Sequence, residues 1–356
     1  MTDRVKVYNV QHESAQIAAK SAMWALSQAV GGETILIPSN RWAILFGLSW
    51  TLGDAARRFC ARRMGSDFTL CVPIWDDVRI FLRAGLKKRC IIHFLWGEMS
   101  SPYLAHLYRT SAASVIGTFH ATPSRQRSSL IHTRWLDVYD RIVVVSSCQI
   151  PFFLERGYPE NRISVIPLGI DTQLFSPDKP PLTIRKKNVS LVCGCVGKTE
   201  RDHIFLADIV RAAPPGLFKL QVLTTSEQFQ YYDGLDDVEL LPRLSDADLL
   251  EFYRKMDVVL LPMRDCTANN ALLESMACGT PVLINDVGGA NEYVPPGYLM
   301  PSGDCSAWLN RLLEYSKNPE KLAADGLEVR KWAEKFDWTL IAPLYREIYE
   351  QIQEAR

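Results

Sequence analysis

The sequence predicts an α/β protein with two doubly wound, Rossmann-like domains that face a central cleft. Strand-like runs such as residues 89–95 and 257–262 alternate with helical segments in two consecutive sets. This alternation is typical of parallel sheets covered by helices on both faces. A chain of 356 residues is also long enough for two domains of ordinary size.

The domain boundaries follow from a change in composition near the middle of the chain. We predict an N-terminal domain over residues 1–172, a Pro-containing linker over 173–187 and a C-terminal domain over 188–335. Residues 336–356 are expected to form a last helix, and the end of the chain from residue 332 to 356 is predicted to be helical.

The composition is that of an ordinary globular protein, with 47% hydrophobic and 22% charged residues. The formal net charge is zero, so nothing points to nucleic acid as a partner. The nine cysteines form no CxxC pair and have no zinc-ligand spacing, which predicts reduced thiols in a cytosolic protein. Residues 1–6 lack a signal-type apolar region, and the apolar stretch 42–52 is too short to cross a bilayer. We therefore expect a cytoplasmic protein.

Residues 41–63 combine large apolar side chains with five arginines. A basic amphipathic segment of this kind can lie on anionic lipid, which would give a peripheral membrane contact. The alternative, which we favour, is a helix that faces the core and presents a solvated basic face.

In the first half, polar residues follow the predicted strands 5–10, 89–95 and 113–120. Ligands of open α/β sheets lie off the carboxyl ends of the strands. His12, Glu98 and His120 are therefore candidate site residues. For His12 the alternative is a lone surface histidine.

In the second half, Gly197 follows the predicted strand 189–196, with Lys198 and Arg201 close behind. A glycine turn that brings positive charge to backbone N–H groups suits a diphosphate. The alternative is a solvated turn. The sequence leaves open which of the two cations would contact the phosphates.

Residues 265–289 form the most informative stretch. Asn269 or Thr267 can cap a helix that runs to about residue 278, where Gly279 ends it. The helix is apolar almost all round, yet it contains Glu274. A buried carboxylate needs a partner, which can be an arginine from the core or the hydroxyls of a ligand.

The start of this helix is a natural seat for phosphate, because its first N–H groups are free and its dipole is positive there. Glu274, about one turn further on, can then reach a ribose. Asn269, Asn270 and Ala271 would lie beside the phosphates.

Residues 274–282, Glu-Ser-Met-Ala-Cys-Gly-Thr-Pro-Val, resemble the nucleotide-sugar signature of retaining glycosyltransferases of family 4, which have the GT-B fold. In that family a second Glu, matched by Glu274, binds the ribose hydroxyls of the donor. A first Glu, which touches the donor sugar, falls on Cys266, so the resemblance implies Asp265 as its substitute. The family also has a Gly-Arg…Lys pair near Gly197 for the donor phosphates and works without an essential metal.

Two further runs carry the resemblance. Residues 118–123, Thr-Phe-His-Ala-Thr-Pro, resemble the family's strand-end histidine motif, which implies that His120 orients the transferred sugar. Residues 165–175 resemble the run between its two domains, with Leu168 in place of an Asn. The fold of the family also implies that the last helix, residues 336–356, crosses back to the N-terminal domain. The glycine-rich loop that the family often carries after its first strand, near the donor and the acceptor, is absent from residues 11–14. The resemblance implies that His12 and Glu98 lie on the acceptor side.

The resemblance implies a glycosyltransferase that moves a hexose-type sugar from a UDP- or GDP-sugar to a hydroxyl acceptor, a glycan or a lipid-linked molecule. It implies retention of configuration, a nucleotide sugar as co-substrate, and neither cofactor nor metal. The alternative is a homologue that binds nucleotide sugar without turnover, as a partner subunit or sensor; Cys266 and the absent glycine loop motivate it. An NAD-type oxidoreductase is disfavoured, since no GxGxxG follows a predicted strand.

Overall fold

The computed structural model describes residues 5–12, 22–37, 71–72, 74–99, 101–102, 108–130, 134–177 and 187–355. The basic stretch 41–63 lies outside these residues. The chain divides into two compact units, the first formed by Met1–Leu168 together with Trp338–Arg356 and the second by Gly169–Asp337. Each unit contains a parallel sheet of six strands, which confirms the predicted α/β class with two doubly wound domains.

The sheet of the first unit has the order β2-β1-β4-β6-β7-β8. The strands of this unit are β1 (Lys6–His12), β2 (Glu33–Ile37), β3 (Cys71–Val72), β4 (Cys90–Phe94), β5 (Ser101–Pro102), β6 (Ser114–Phe119), β7 (Arg141–Val144) and β8 (Ile163–Val165). All described side chains of β4 and β6 are buried, as expected for central strands of a parallel sheet. In register, Val10 pairs with Phe94 and Phe94 with Gly117. The carboxyl ends of β1, β4 and β6 therefore lie side by side.

The helices of the first unit cover this sheet. They are α1 (Ala22–Val30), α2 (Ile74–Ile80), α3 (Pro123–Ser129) and α4 (Ile150–Leu154), with the helix Trp338–Glu354, here α10, added from the far end of the chain. His93 of β4 fixes that last helix, because its Nδ1 and Nε2 atoms lie 2.7 Å from the Tyr349 hydroxyl and 2.7 Å from Thr118 Oγ1.

The sheet of the second unit has the order β11-β10-β9-β12-β13-β14. Its strands are β9 (Leu191–Val196), β10 (Phe218–Leu223), β11 (Val238–Leu241), β12 (Val258–Leu261), β13 (Val282–Asn285) and β14 (Leu299–Met300). Counted from β9, this is the doubly wound order in which strand succession reverses between the first and fourth strands. A ligand of such a sheet binds at the reversal, off the carboxyl ends of β9 and β12.

The helices of the second unit begin at side-chain caps. They are α5 (His203–Ala212), α6 (Asp246–Lys255), α7 (Asn270–Ala277), α8 (Cys305–Lys317) and α9 (Pro319–Ala333). Ser245 caps α6 by accepting from Asp248 N at 3.2 Å, as its position before an amphipathic run predicts. In the described part of the chain, no helix combines the length and the apolar character needed to cross a bilayer.

The last helix predicted over residues 336–356 corresponds to α10, Trp338–Glu354, whereas the helical run expected from residue 332 is divided at Asp337. Helix α9 already begins at Pro319, passes into a 3₁₀ turn at Glu334–Phe336 and ends before α10 begins at Trp338. Asp337 between them is not helical, with φ −59° and ψ 138°, and its carboxylate accepts from Thr172 N at 3.2 Å. A tertiary contact thus interrupts a pattern that is locally helical.

Candidate functional site

The loops after β9 and β12 meet where the strand order of the second unit reverses. Arg201 and Met263 form an isolated antiparallel bridge, and Asp202 N donates to Pro262 O at 2.8 Å. The loop that contains Gly197 is therefore tied to the loop that leads into α7. The candidate donor residues of this unit share one edge of one sheet.

Arg201 is buried, with 9% of its surface exposed, and joins the two loops. Its guanidinium donates to Val196 O at 2.9 Å, to Thr199 O at 3.0 Å and to Asn269 Oδ1 at 3.0 Å. Burial lowers the pKa of the guanidinium, and nearby groups that include Glu274 counteract the shift. Arg201 thus adds a fixed positive charge beside the start of α7.

Lys198 is held much more loosely than Arg201. Its side chain is about half exposed, and Nζ lies 3.8 Å from Glu227 Oε2, an exposed ion pair of little energetic weight. Its ammonium group is therefore able to move toward an anion.

Asn269, not Thr267, caps α7. Its Oδ1 accepts from Leu272 N at 3.3 Å as well as from Arg201. The cap leaves the N–H groups of Asn270 and Ala271 without a protein partner among the described residues. Two free N–H groups and a buried guanidinium therefore lie at the positive end of the helix dipole.

Glu274, in the first turns of α7, is partly buried and accepts from the Tyr253 hydroxyl at 2.8 Å through Oε2. Among the described residues it forms no ion pair, so the arginine partner considered from the sequence is not found. Burial raises the pKa of Glu274 to about 7, although the hydrogen bond from Tyr253 counteracts the shift. Within the same residues, Oε1 accepts no hydrogen bond.

Asp265 and Cys266 sit in the loop between β12 and α7. Asp265 Oδ1 accepts from the N–H of Cys266 at 2.8 Å, and the Cys266 thiol is almost fully buried. Cys266 Sγ lies 3.5 Å from Thr267 O. The carbonyl of Cys266 accepts from Gly289 N at 2.9 Å, which ties this loop to the one after β13.

In the first unit, the structure brings Glu98 and His120 together. The Glu98 carboxylate accepts from His120 N at 3.0 Å and from Ala121 N at 2.8 Å, and burial raises its pKa to about 7. His120 Nε2 lies 2.9 Å from Leu95 O and its ring 4.7 Å from that of Trp96. Burial lowers the pKa of His120 to about 4, so the ring is neutral at pH 7. Glu98 therefore anchors the loop that carries His120.

His12 is the last residue of β1, and its side chain lies outside the described part of the chain. Sequence reasoning missed Tyr253, the partner of Glu274, and the buried pair His203 and Tyr232 beside Gly197. Tyr253 lies on α6, and only the packing of α6 on α7 brings it to the carboxylate. The described residues contain no group of three or more acidic, His or Cys side chains with metal-binding geometry.

Comparison with known sequences gives a match in the second unit. Residues 191–318 match a family model described as Glycosyl transferases group 1. A D-inositol 3-phosphate glycosyltransferase from Saccharomonospora viridis is 33% identical over 126 residues, which are 34% of this chain and 29% of that protein. A protein of the same name from Thermobispora bispora is 26% identical over 248 residues, 62% of this chain and 58% of its own length. The chain thus matches less than two thirds of the length of either relative.

Two solved structures resemble the chain over nearly its whole length. Alr3699/HepE from Anabaena in complex with UDP-glucose has a TM-score of 0.72 at 14% identity, over 97% of this chain and 99% of that one. Sucrose-phosphate synthase from Thermosynechococcus elongatus has a TM-score of 0.71 at 17% identity, over 99% of this chain and 100% of that one. At these identities the likeness shows a shared fold.

Proposed function

We propose that this protein is a glycosyltransferase with the GT-B fold, which transfers a hexose-type sugar from a UDP- or GDP-sugar to a hydroxyl acceptor. The family model and the named relatives support this proposal. We further propose retention of configuration and no requirement for a metal or cofactor. In the reaction, the bond between C1 of the sugar and the diphosphate oxygen breaks and the acceptor oxygen bonds to C1. The acceptor proton passes to the departing diphosphate, which leaves as a nucleoside diphosphate.

The open carboxylate oxygen of Glu274 is the observation that carries the proposal. Tyr253 occupies Oε2 from inside the unit, while Oε1 accepts nothing from the described residues. A ribose presents two adjacent hydroxyls, which can donate to one carboxylate together. Such donation favours the charged form of Glu274 and offsets the burial that raises its pKa to about 7.

The diphosphate would lie between the Gly197 turn and the start of α7. Arg201 contributes fixed charge, Lys198 contributes a mobile ammonium group, and the N–H groups of Asn270 and Ala271 contribute donors. These groups stabilise the negative charge that develops on the diphosphate as its bond to the sugar breaks. Such preorganised electrostatic stabilisation is usually the largest single contribution to catalysis. Asp265 remains the expected contact to the donor sugar.

His120 of the first unit is the residue proposed to orient the transferred sugar. A neutral imidazole suits this role, because it can hydrogen-bond a sugar hydroxyl without taking its proton. The relatives named for D-inositol 3-phosphate justify including that polyol phosphate in an acceptor screen, beside glycans and lipid-linked acceptors.

Donor binding tests the proposal directly. Thermal shift and calorimetry with UDP-glucose, UDP-N-acetylglucosamine and GDP-mannose should give stabilisation by one of them, since a ligand that binds only the native state raises its stability. Glu274→Gln should weaken that donor by about tenfold to a hundredfold, through loss of charge-assisted hydrogen bonds to the ribose. Glu314→Gln, an exposed acid on α8, is the matched control and should bind as the wild type does.

Turnover separates the proposal from its alternative. Cys266 offers no carboxylate, and its thiol is buried, which favours a binding-only homologue. The transferase would be supported by consumption of the donor in the presence of an acceptor, at a rate that EDTA does not change. The NMR coupling constants of the product should then show the anomeric configuration of the donor. Binding without any consumption of donor would support the binding-only homologue.

A further inference from the structure

His203, the first residue of α5, lies buried behind the Gly197 turn. Its Nδ1 is 2.6 Å from the Tyr232 hydroxyl and its Nε2 is 3.1 Å from the carbonyl oxygen of Gly197. Thr224 Oγ1 lies 3.4 Å from Nε2. His203 and Tyr232 are 2% and 3% exposed, so both work from inside the unit.

The chemistry of these partners fixes the protons on the imidazole. A carbonyl oxygen only accepts, so Nε2 carries the hydrogen and donates it to Gly197. Nδ1 is then the acceptor, and the Tyr232 hydroxyl donates to it. Burial lowers the pKa of His203 to about 4, which keeps the ring neutral at pH 7. Each hydrogen bond therefore has a fixed direction: the Tyr232 hydroxyl donates to His203, and His203 donates to the carbonyl of Gly197.

These two hydrogen bonds set the orientation of the peptide group between Gly197 and Lys198. In a planar trans peptide, the N–H of Lys198 points away from the carbonyl of Gly197. Since that carbonyl points at His203, the N–H points away from the interior of the unit. Gly197 has φ +100°, a backbone conformation that an L side chain rarely adopts.

The N–H groups that follow are free to bind an anion. Among the described residues, the backbone N–H groups of Lys198, Thr199 and Glu200 donate to no protein acceptor. Glu200 has φ +57°, and a left-handed residue within a turn directs successive N–H groups to one side as an anion-binding nest. The orientation of this turn therefore depends on what holds the Gly197 carbonyl.

We propose that His203, held by Tyr232, is a positioning residue that orients the N–H groups of the Gly197 turn toward the diphosphate of the nucleotide sugar. The inference rests on the proposed function for its ligand. It predicts that His203 affects the phosphate part of the ligand and not the nucleoside part.

Binding of UDP and of uridine by the full chain tests this role, with calorimetry for UDP and ligand-observed NMR for uridine. His203→Ala should weaken UDP about tenfold, the loss of one hydrogen bond to a charged group, and change uridine less than about twofold. His203→Gln carries an amide N–H near the place of Nε2 and should restore UDP binding to within about threefold of the wild type. Ile204→Ala, an exposed change on the same helix, is the control and should leave both ligands unaffected.

Tyr232→Phe keeps the imidazole and removes only its donor, so it tests the role even if His203→Ala fails to fold. It should weaken UDP about threefold and leave uridine unchanged. Equal losses for UDP and uridine, or unchanged UDP binding in His203→Ala, overturn the positioning role and leave the proposed function standing. A wild-type protein that binds neither UDP nor GDP contradicts the proposed function together with this inference.

Discussion

The charged form of Glu274 lowers the stability of the folded protein as long as no ligand is bound to the carboxylate. Its pKa is raised to about 7, so the folded empty protein binds this proton more tightly than the unfolded chain does. The stabilisation from the bound proton is complete below the unfolded pKa near 4.5 and is lost as the pH rises through 7. The empty site is therefore least stable at alkaline pH.

Glu274→Gln should remove this dependence. At pH 8 the empty variant should exceed the wild type in free energy of unfolding, by on the order of 2 kcal/mol, because the penalty of a buried charge is absent. At pH 5 the difference should nearly vanish. Urea denaturation at the two pH values measures it, and a variant that is less stable than the wild type at pH 8 would contradict the interpretation.

The residue-level predictions from sequence succeed where the reason is local. Asn269 was one of two candidate caps, and Gly279 ends the helix as predicted, since caps depend on residues within one turn. The need of Glu274 for a partner was also predictable from its apolar surroundings. That the partner is Tyr253 was not predictable, because Tyr253 lies on another helix, 21 positions away from Glu274 in sequence.

The loop after β13 approaches the loop before α7 more closely than any side chain would allow. Gly288 has φ +54°, and a Cβ at this position would lie 2.0 Å from the Cys266 carbonyl oxygen and 3.0 Å from Asp265 Oδ1. Glycine is therefore required at position 288 for two reasons: the backbone has a positive φ, and there is no space for a Cβ atom beside Cys266 and Asp265.

Gly288→Ala should lower the free energy of unfolding by about 2–4 kcal/mol and weaken donor binding, since Cys266 and Asp265 must shift. Gly303→Ala is the matched control. Gly303 has φ +72° with no atom within 4 Å of the added Cβ, so this variant should lose only about 1 kcal/mol and keep its affinity. Equal losses in the two variants would show that backbone conformation alone, and not the contact with Cys266, matters.

At the level of elements, the sequence predicted the strands well because buried parallel strands are short apolar runs. Strands 189–196 and 257–262 correspond to β9 and β12, and the turn at Gly197 follows β9 as expected. The resemblance in residues 274–282 agrees with the match of residues 191–318 to a model of glycosyl transferases group 1, and the fold is as the resemblance implies. Family 4, the site residues, retention and metal independence stay predictions. The burial of Arg201 and its hydrogen bond to Asn269 could not be predicted from the local sequence around Lys198, because Asn269 lies 68 positions away.

Across the whole molecule, α10 returns to the first unit after the chain has formed the second. It packs against α1, and Tyr349 meets the buried imidazole of His93. Burial lowers the pKa of His93 to about 3, so this contact is a hydrogen bond between neutral groups.

Tyr349→Phe should destabilise the first unit by about 1–2 kcal/mol, because His93 Nδ1 is left buried without a partner. Hydrogen exchange of amides in β4 and β6 would detect the loss. Leu340→Ala, an exposed change on the same helix, should alter exchange little. Unchanged protection in Tyr349→Phe would mean that apolar packing alone holds α10.

The placement of α10 has a consequence for biosynthesis. A ribosome that has completed residues 1–168 has made only part of the first unit, since Trp338–Arg356 emerge after the whole of the second. His93 and the sheet face around it therefore stay uncovered in the nascent polypeptide while some 170 further residues are translated, which takes about 8–34 s at 5–20 residues per second. Chaperone capture during that interval is expected to favour the first unit over the second.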